Sequence, residues 1–138
     1  MLSLQTERFK KLIFVNNTNM ENKKNDEDSL KENISNFLAS ANVLFERGDF
    51  TSSAIIYFKA FFAVLDLLIL KETGRTPKDH SERFRILEIK LPNLYSVLDK
   101  LYPTYRVSYS SSINKLECIV VRENVERIIK EQKIFKGN

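Results

Sequence analysis

The chain has 138 residues, of which 43% are hydrophobic and 29% charged, enough for one domain with a single core. Three glycines and three prolines are too few for the many tight turns of an all-β fold, so helices are favoured. The 22 basic and 18 acidic residues leave a net charge of +4, which permits contact with nucleic acid without requiring it.

The supply of cysteine and histidine restricts the chemistry further. Cys118 and His80 are the only residues of their kinds, so an intramolecular disulfide and a zinc site of His and Cys ligands are both excluded within one chain. We expect no metal and no cofactor, a cytoplasmic location, and a buried thiol at Cys118.

The N-terminal segment differs in composition from the rest of the chain. Residues 1–28 contain five asparagines and no helical or strand period, and the five basic and five acidic residues of positions 1–30 cancel. Such segments bury too little apolar surface to offset the entropy of ordering. We therefore expect residues 1–28 to be disordered and residues 29–138 to form a single helical domain.

Two helices are predicted at the start of this domain. The first begins at Asp28 or Ser29, both good N-cap residues, and ends at Gly48. Its apolar residues recur every three or four positions, as on one face of an amphipathic helix: Leu30, Ile34, Phe37, Leu38, Ala41, Leu44 and Phe45. Asp49 or Thr51 then caps a second helix over residues 51–72.

The second half of the domain predicts two or three more helices. One is capped near Asp79 or Ser81, and its apolar spacing continues across Pro92, where we expect a kink or break. The segment Tyr102–Ser112 is predicted as a loop, and a last helix spans about 112–133. The fold class is therefore all-α, an up-and-down bundle of four to five helices.

The second helix is apolar on nearly every side. Its segment Ala54–Leu70 is shorter than a membrane span of about 20 residues, and Lys59 and Asp66 interrupt it, so we expect no contact with membranes. Such a helix belongs at the centre of a bundle or in a subunit interface. Because it is apolar on more faces than a small monomer is expected to cover, we predict a homodimer.

Arg75 and His80 are the candidate catalytic pair. Five residues apart, they form R-x-x-x-x-H, a pair suited to metal-independent RNA cleavage. The histidine exchanges a proton with the reacting oxygen, and the arginine stabilises charge on the phosphorane. The alternative is structural, with His80 bracing the loop and Arg75 in solvent.

Other polar side chains near this pair are candidate binding residues. A carboxylate inside an apolar helix needs a partner, and His80, Arg83 and Arg106 are available to Asp66. Asp66 is therefore half of a buried ion pair or part of an acid–base pair with His80. The tyrosines around the second loop either pack their rings or stack on bases. The candidate binding residues are Asp66, Lys78, Arg83, Arg106 and Tyr109.

Three segments of the chain resemble a known family. LFERGDFTSSAIIYFKAFFAVLDLLILKETG (44–74) resembles the first two helices of HEPN domains, with the family's glycine–acid–aromatic turn before a long apolar helix. RTPKDHSERFRILE (75–88) and LYPTYRVSY (101–109) are similar to the His-containing loop and the Arg-Tyr-rich segment of small archaeal members. The resemblance covers residues 29–133.

The resemblance implies an up-and-down helical bundle and a homodimer. Many HEPN domains are toxin-like ribonucleases that use R-x(4–6)-H, whereas others bind nucleotides or partner proteins and often act beside a nucleotidyltransferase. Arg75 and His80 match the motif, but Pro77 lies between them, directly after the second helix rather than on a later one. The sequence therefore favours a non-catalytic module that binds a partner protein, a nucleotide or RNA, with a ribonuclease as the alternative.

Overall fold

The structure, a computed structural model, describes the backbone of residues 2–135 and the side chains of residues 5–135. This part of the chain contains five helices and no strand, which confirms the all-α helical bundle. The helices are α1 (Leu2–Glu46), α2 (Phe50–Thr73), α3 (His80–Lys90), α4 (Pro92–Val107) and α5 (Lys115–Glu131).

A tight turn folds α1 and α2 into an antiparallel hairpin. Gly48 has a φ of +79°, a left-handed conformation that glycine adopts without steric cost, and the Asp49 side chain caps α2 by accepting from the Ser52 N–H at 3.1 Å. The Ser53 hydroxyl donates to the Ala41 carbonyl at 2.8 Å, and the Tyr57 hydroxyl bonds the Asn42 side chain. These bonds fix the register between the two helices.

Helix α2 is the centre of the bundle, as the sequence predicted, and it contacts all four other helices. By length and composition α2 could cross a membrane, but 72% of its most apolar window is buried inside the bundle, as in the core helix of a globular domain. The reason given for a homodimer therefore fails, because a single chain covers the apolar faces of α2.

Helix α1 begins far earlier than the sequence predicted. It runs from Leu2 rather than from Asp28 or Ser29, and so includes most of the segment expected to be disordered. No glycine or proline occurs before Gly48, so nothing interrupts the backbone hydrogen bonds, and asparagine costs a helix well under 1 kcal/mol relative to alanine. Met1 and residues 136–138 lie outside the described residues.

The chain turns between α3 and α4 at the predicted proline. Helix α3 ends at Lys90, and α4 begins at Pro92, whose missing N–H belongs to a position that needs no helical partner. The predicted loop Tyr102–Ser112 is wrong in its first half, since α4 continues through Pro103 to Val107. Burial of Leu101 and Tyr105 against the core outweighs the hydrogen bond lost at Pro103.

Candidate functional site

The carboxylate of Asp66 is held by two hydrogen bonds on the inner part of α2. Its Oδ1 accepts from Arg83 Nε at 2.7 Å and its Oδ2 accepts from Arg83 Nη2 at 3.0 Å. The two side chains are only 17% and 10% exposed. The expectation that Asp66 needs a partner is confirmed, and Arg83 is that partner rather than His80 or Arg106.

Arg83 is positioned by the first turn of α3. Asp79 caps this helix by accepting from the Glu82 N–H at 2.9 Å, which fixes the direction in which the helix leaves the loop. The guanidinium of Arg83 lies over the ring of Phe62, with Cζ 4.9 Å from the ring centroid. Its Nη1 donates to His80 Nδ1 at 2.6 Å, so Arg83 joins Asp66 to His80.

His80 is half-buried among aromatic rings. Its ring centroid lies 4.9 Å from that of Phe62, 5.8 Å from Tyr102 and 6.0 Å from Tyr105. Burial, followed by the positive charge of Arg83, lowers the pKa of His80 below its usual value, so the ring is neutral at pH 7. Because Arg83 can only donate to Nδ1, the proton of the neutral ring is assigned to Nε2, which makes no hydrogen bond to a described residue.

Arg75 does not contact the cluster that Asp66, Arg83, His80 and Phe62 form. Its side chain is 61% exposed, and its Nη1 lies 3.1 Å from Glu82 Oε1. Among the described residues, the arginine that contacts His80 is Arg83, three positions later on the same helix. The i, i+3 spacing at the start of a predicted helix was the signal for this pairing.

The tyrosines of α4 extend the aromatic cluster towards the surface. Tyr105 is buried, and its hydroxyl lies 3.0 Å from that of Tyr109, whose side chain is 77% exposed. Burial, followed by the hydrogen bond to Tyr109, raises the pKa of Tyr105 to about 12, so this hydroxyl is protonated at physiological pH. Lys78 and Arg106 are exposed and form no ion pair with a described residue.

A shallow groove of about 240 Å³ lies between α1 and α2, beside this cluster. It is lined by Leu30, Asn33, Phe37, Lys59, Phe62, Ala63 and Asp66. Phe62 and Asp66 belong to both the groove and the cluster, so the two features form one surface. A larger cavity of about 390 Å³ is lined by residues near the α3–α4 junction and shares no residue with this surface.

Lys59 is the site residue that the sequence reasoning did not single out. It is exposed on α2, lines the groove, and is close enough to His80 for its charge to help lower the pKa of that ring. The available signal was a lysine within an otherwise apolar helix, whose register places it at the edge of the core.

Comparison of the chain with protein-family models, curated proteins and solved structures finds no match. The resemblance to HEPN domains thus stays a prediction.

Proposed function

We propose that this chain is a non-catalytic, HEPN-like helical module that binds a nucleotide phosphate, either free or within single-stranded RNA. The contact between Arg83 Nη1 and His80 Nδ1 carries this proposal. It holds His80 as a neutral ring whose Nε2–H can donate a hydrogen bond to a phosphate oxygen.

The same contact disfavours proton transfer by His80. As a base, the neutral ring would have to use Nδ1, which already accepts from Arg83. As an acid, it would first have to become a cation at 2.6 Å from the Arg83 guanidinium, in a half-buried setting. A hydrogen-bond donor needs neither change, so the geometry supports binding rather than RNA cleavage.

Lys59 and Tyr109 supply the remaining groups that a nucleotide needs. Lys59, at the edge of the groove, offers a cation for the phosphate. The exposed ring of Tyr109 offers a face on which a base can stack, and Tyr109 is joined to His80 through Tyr105. The groove of about 240 Å³ is smaller than a typical pocket for a whole ligand, which fits a phosphate with the base resting outside.

Two binding measurements test the proposal and separate the two sources of phosphate. Calorimetry with AMP reports a free nucleotide, and fluorescence anisotropy with a short labelled single-stranded RNA reports a polymer. Of the two probes, only RNA is expected to bind with an affinity that falls steeply with salt, because each neutralised backbone phosphate releases counterions. Absence of binding to both probes at low salt would refute the proposal.

Matched variants locate the site. Lys59→Ala is expected to weaken binding about tenfold, the effect of losing one charge-assisted hydrogen bond, whereas Lys115→Ala, an exposed lysine at the start of α5, leaves affinity unchanged. Tyr109→Ala should also weaken binding, while Tyr109→Phe keeps the stacking surface. If Lys59→Ala and Lys115→Ala behave alike, the ligand binds elsewhere.

The ribonuclease alternative has its own test. We expect the purified protein to leave RNA intact in the presence of a chelator. Cleavage that yields 2′,3′-cyclic phosphate ends, and that is abolished by His80→Ala, would instead establish the catalytic function.

A further inference from the structure

Helix α1 extends far beyond the helix that covers it. Its 45 residues span about 67 Å, against about 36 Å for the 24 residues of α2, at a rise of 1.5 Å per residue. Ser53 is bonded to Ala41, and Asp66 shares a groove with Leu30, so α2 runs antiparallel along α1 and ends near position 23. Residues 5–22, called here the α1 extension, lie beyond that end.

After an interruption at Lys23 and Glu27, apolar residues return in the extension in the same register as the apolar face of α1. Within the bundle, the core residues of α1 include Leu30, Ile34, Phe37 and Ala41, which follow alternating steps of four and three residues. Continued towards the N-terminus, the same steps fall on Lys23, Glu27 and a set that we call the N-terminal stripe: Phe9, Ile13, Asn16 and Met20. A sustained 3–4 repeat is the pattern by which one helix packs against another.

The described part of the chain does not cover this stripe. Phe9 is 64% exposed and Met20 is 70% exposed. A single helix rich in asparagine is marginal in water without a packing partner, because most helical stability in proteins comes from an apolar face that is buried. The extension therefore needs a cover of the kind that α2 provides for the rest of α1.

We propose that the α1 extensions of two copies of this chain pair antiparallel and so form a homodimer. A second copy supplies an apolar stripe of matching length. A parallel partner that follows the stripe would run into α2, which occupies the same face of α1 from Leu30 to Phe45. In the register given below, residues 5–22 of an antiparallel partner lie opposite residues 7–24, so the partner continues the line of α2 and meets α2 only near its end.

The charges of the two ends of the extension agree with this orientation. Residues 7–11 carry three basic side chains and one acidic one, whereas residues 21–28 carry four acidic side chains and two basic ones. With Phe9 opposite Met20, an antiparallel pair sets Arg8 of each copy opposite Glu21 of the other, whereas a parallel pair sets each of these charges opposite its own kind. The favoured register sets Phe9 against Met20 of the second copy and Ile13 against Asn16.

The oligomeric state of matched variants tests the interface. By sedimentation equilibrium, the wild-type chain is expected to be a dimer at micromolar concentration. Phe9→Asp combined with Met20→Asp should raise the dimer Kd by about a hundredfold or more, since both copies lose buried apolar area. Phe14→Asp is the control, because Phe14 is 72% exposed but lies off the stripe, and it should leave the Kd unchanged.

A monomeric wild-type chain at high micromolar concentration would overturn the proposal, as would equal loss of the dimer in the control.

The orientation is measured with a spin label at Asn36→Cys, since Cys118 is fully buried and stays unlabelled. Antiparallel pairing predicts a distance of about 60 Å between the two labels, from the helical rise. A distance within about 30 Å would indicate parallel helices, which the proposal forbids.

Discussion

His80 sits between a cation and three aromatic rings, and this position determines when it can carry a proton. Burial and the charge of Arg83 lower its pKa in the folded chain below the value of an exposed histidine. Between the folded and the unfolded pKa, the unfolded chain binds more protons, so the free energy of unfolding rises with pH across that window. Acidification below the unfolded pKa therefore weakens the fold at this residue.

The titration of His80 is directly measurable, because the chain has one histidine. We expect NMR titration of its ring protons to give a pKa below 6.5, the usual value for histidine. His80→Gln should reduce the loss of unfolding free energy between pH 7.5 and pH 5.5, as measured by urea denaturation. A pKa above 6.5 would show that the ring is stabilised as a cation, contrary to its contact with Arg83.

Loss of either partner of the Asp66–Arg83 ion pair is predicted to destabilise the fold more than loss of both partners. Asp66→Leu leaves the charge of Arg83 largely buried without a partner, so we expect a loss of roughly 3 kcal/mol in unfolding free energy. Arg83→Met should cost a similar amount, and the double variant should recover much of the loss. A double-mutant cycle by urea denaturation measures the coupling, and additive losses would contradict a direct pair.

At the scale of the element, the first turn of α3 contributes both to the stability of the fold and to the geometry of the site. Its N-cap, Asp79, precedes His80 and fixes the first turn, from which Arg83 reaches Asp66. Helix α5 has an equivalent cap in Asn114, which forms a reciprocal capping box with Glu117 far from the site. The two caps provide a comparison in which similar local damage is made at two distances from the ligand.

We expect Asp79→Ala and Asn114→Ala each to lower the unfolding free energy by about 1 kcal/mol, the usual cost of losing an N-cap. Only Asp79→Ala should also weaken the binding of AMP or RNA, because it loosens the turn that holds His80 and Arg83. Denaturation and calorimetry on both variants check this. Equal affinities would mean that the first turn of α3 has no part in binding.

At the scale of the whole molecule, the chain combines a covered bundle with an uncovered helical extension. The other four helices all pack against α2, whereas residues 5–22 have no covering helix in the described part of the chain. Regions with few buried contacts open at lower free energy than the core. The amides of the extension should therefore exchange faster than those of α2.

Hydrogen exchange can measure this difference. Amides of α2 are expected to exchange slowest, since opening them requires global unfolding. Amides of residues 5–22 should exchange more slowly as the protein is concentrated, because dimerisation stabilises them by mass action. The Phe9→Asp and Met20→Asp double variant should lose that dependence. Concentration-independent exchange in the wild-type extension would argue against pairing.

The helical class, the central place of α2 and the break at Pro92 were determined by the sequence itself. Few glycines, a nearly continuous apolar helix and a residue without an N–H are local properties, and they act in the same way whatever the chain packs against. The need of Asp66 for a partner was equally readable, since an unpaired carboxylate in a core helix is costly.

Only the tertiary structure decided which groups meet. Three basic residues were candidate partners for Asp66, and the packing of α3 on α2 selected Arg83. Arg83, rather than Arg75, also contacts His80. The helical turn through Pro103 likewise depended on neighbours, because the local propensity there is weak and is outweighed by burial. Periodicity places a residue on a face, but the energy of a contact depends on what the opposite face presents.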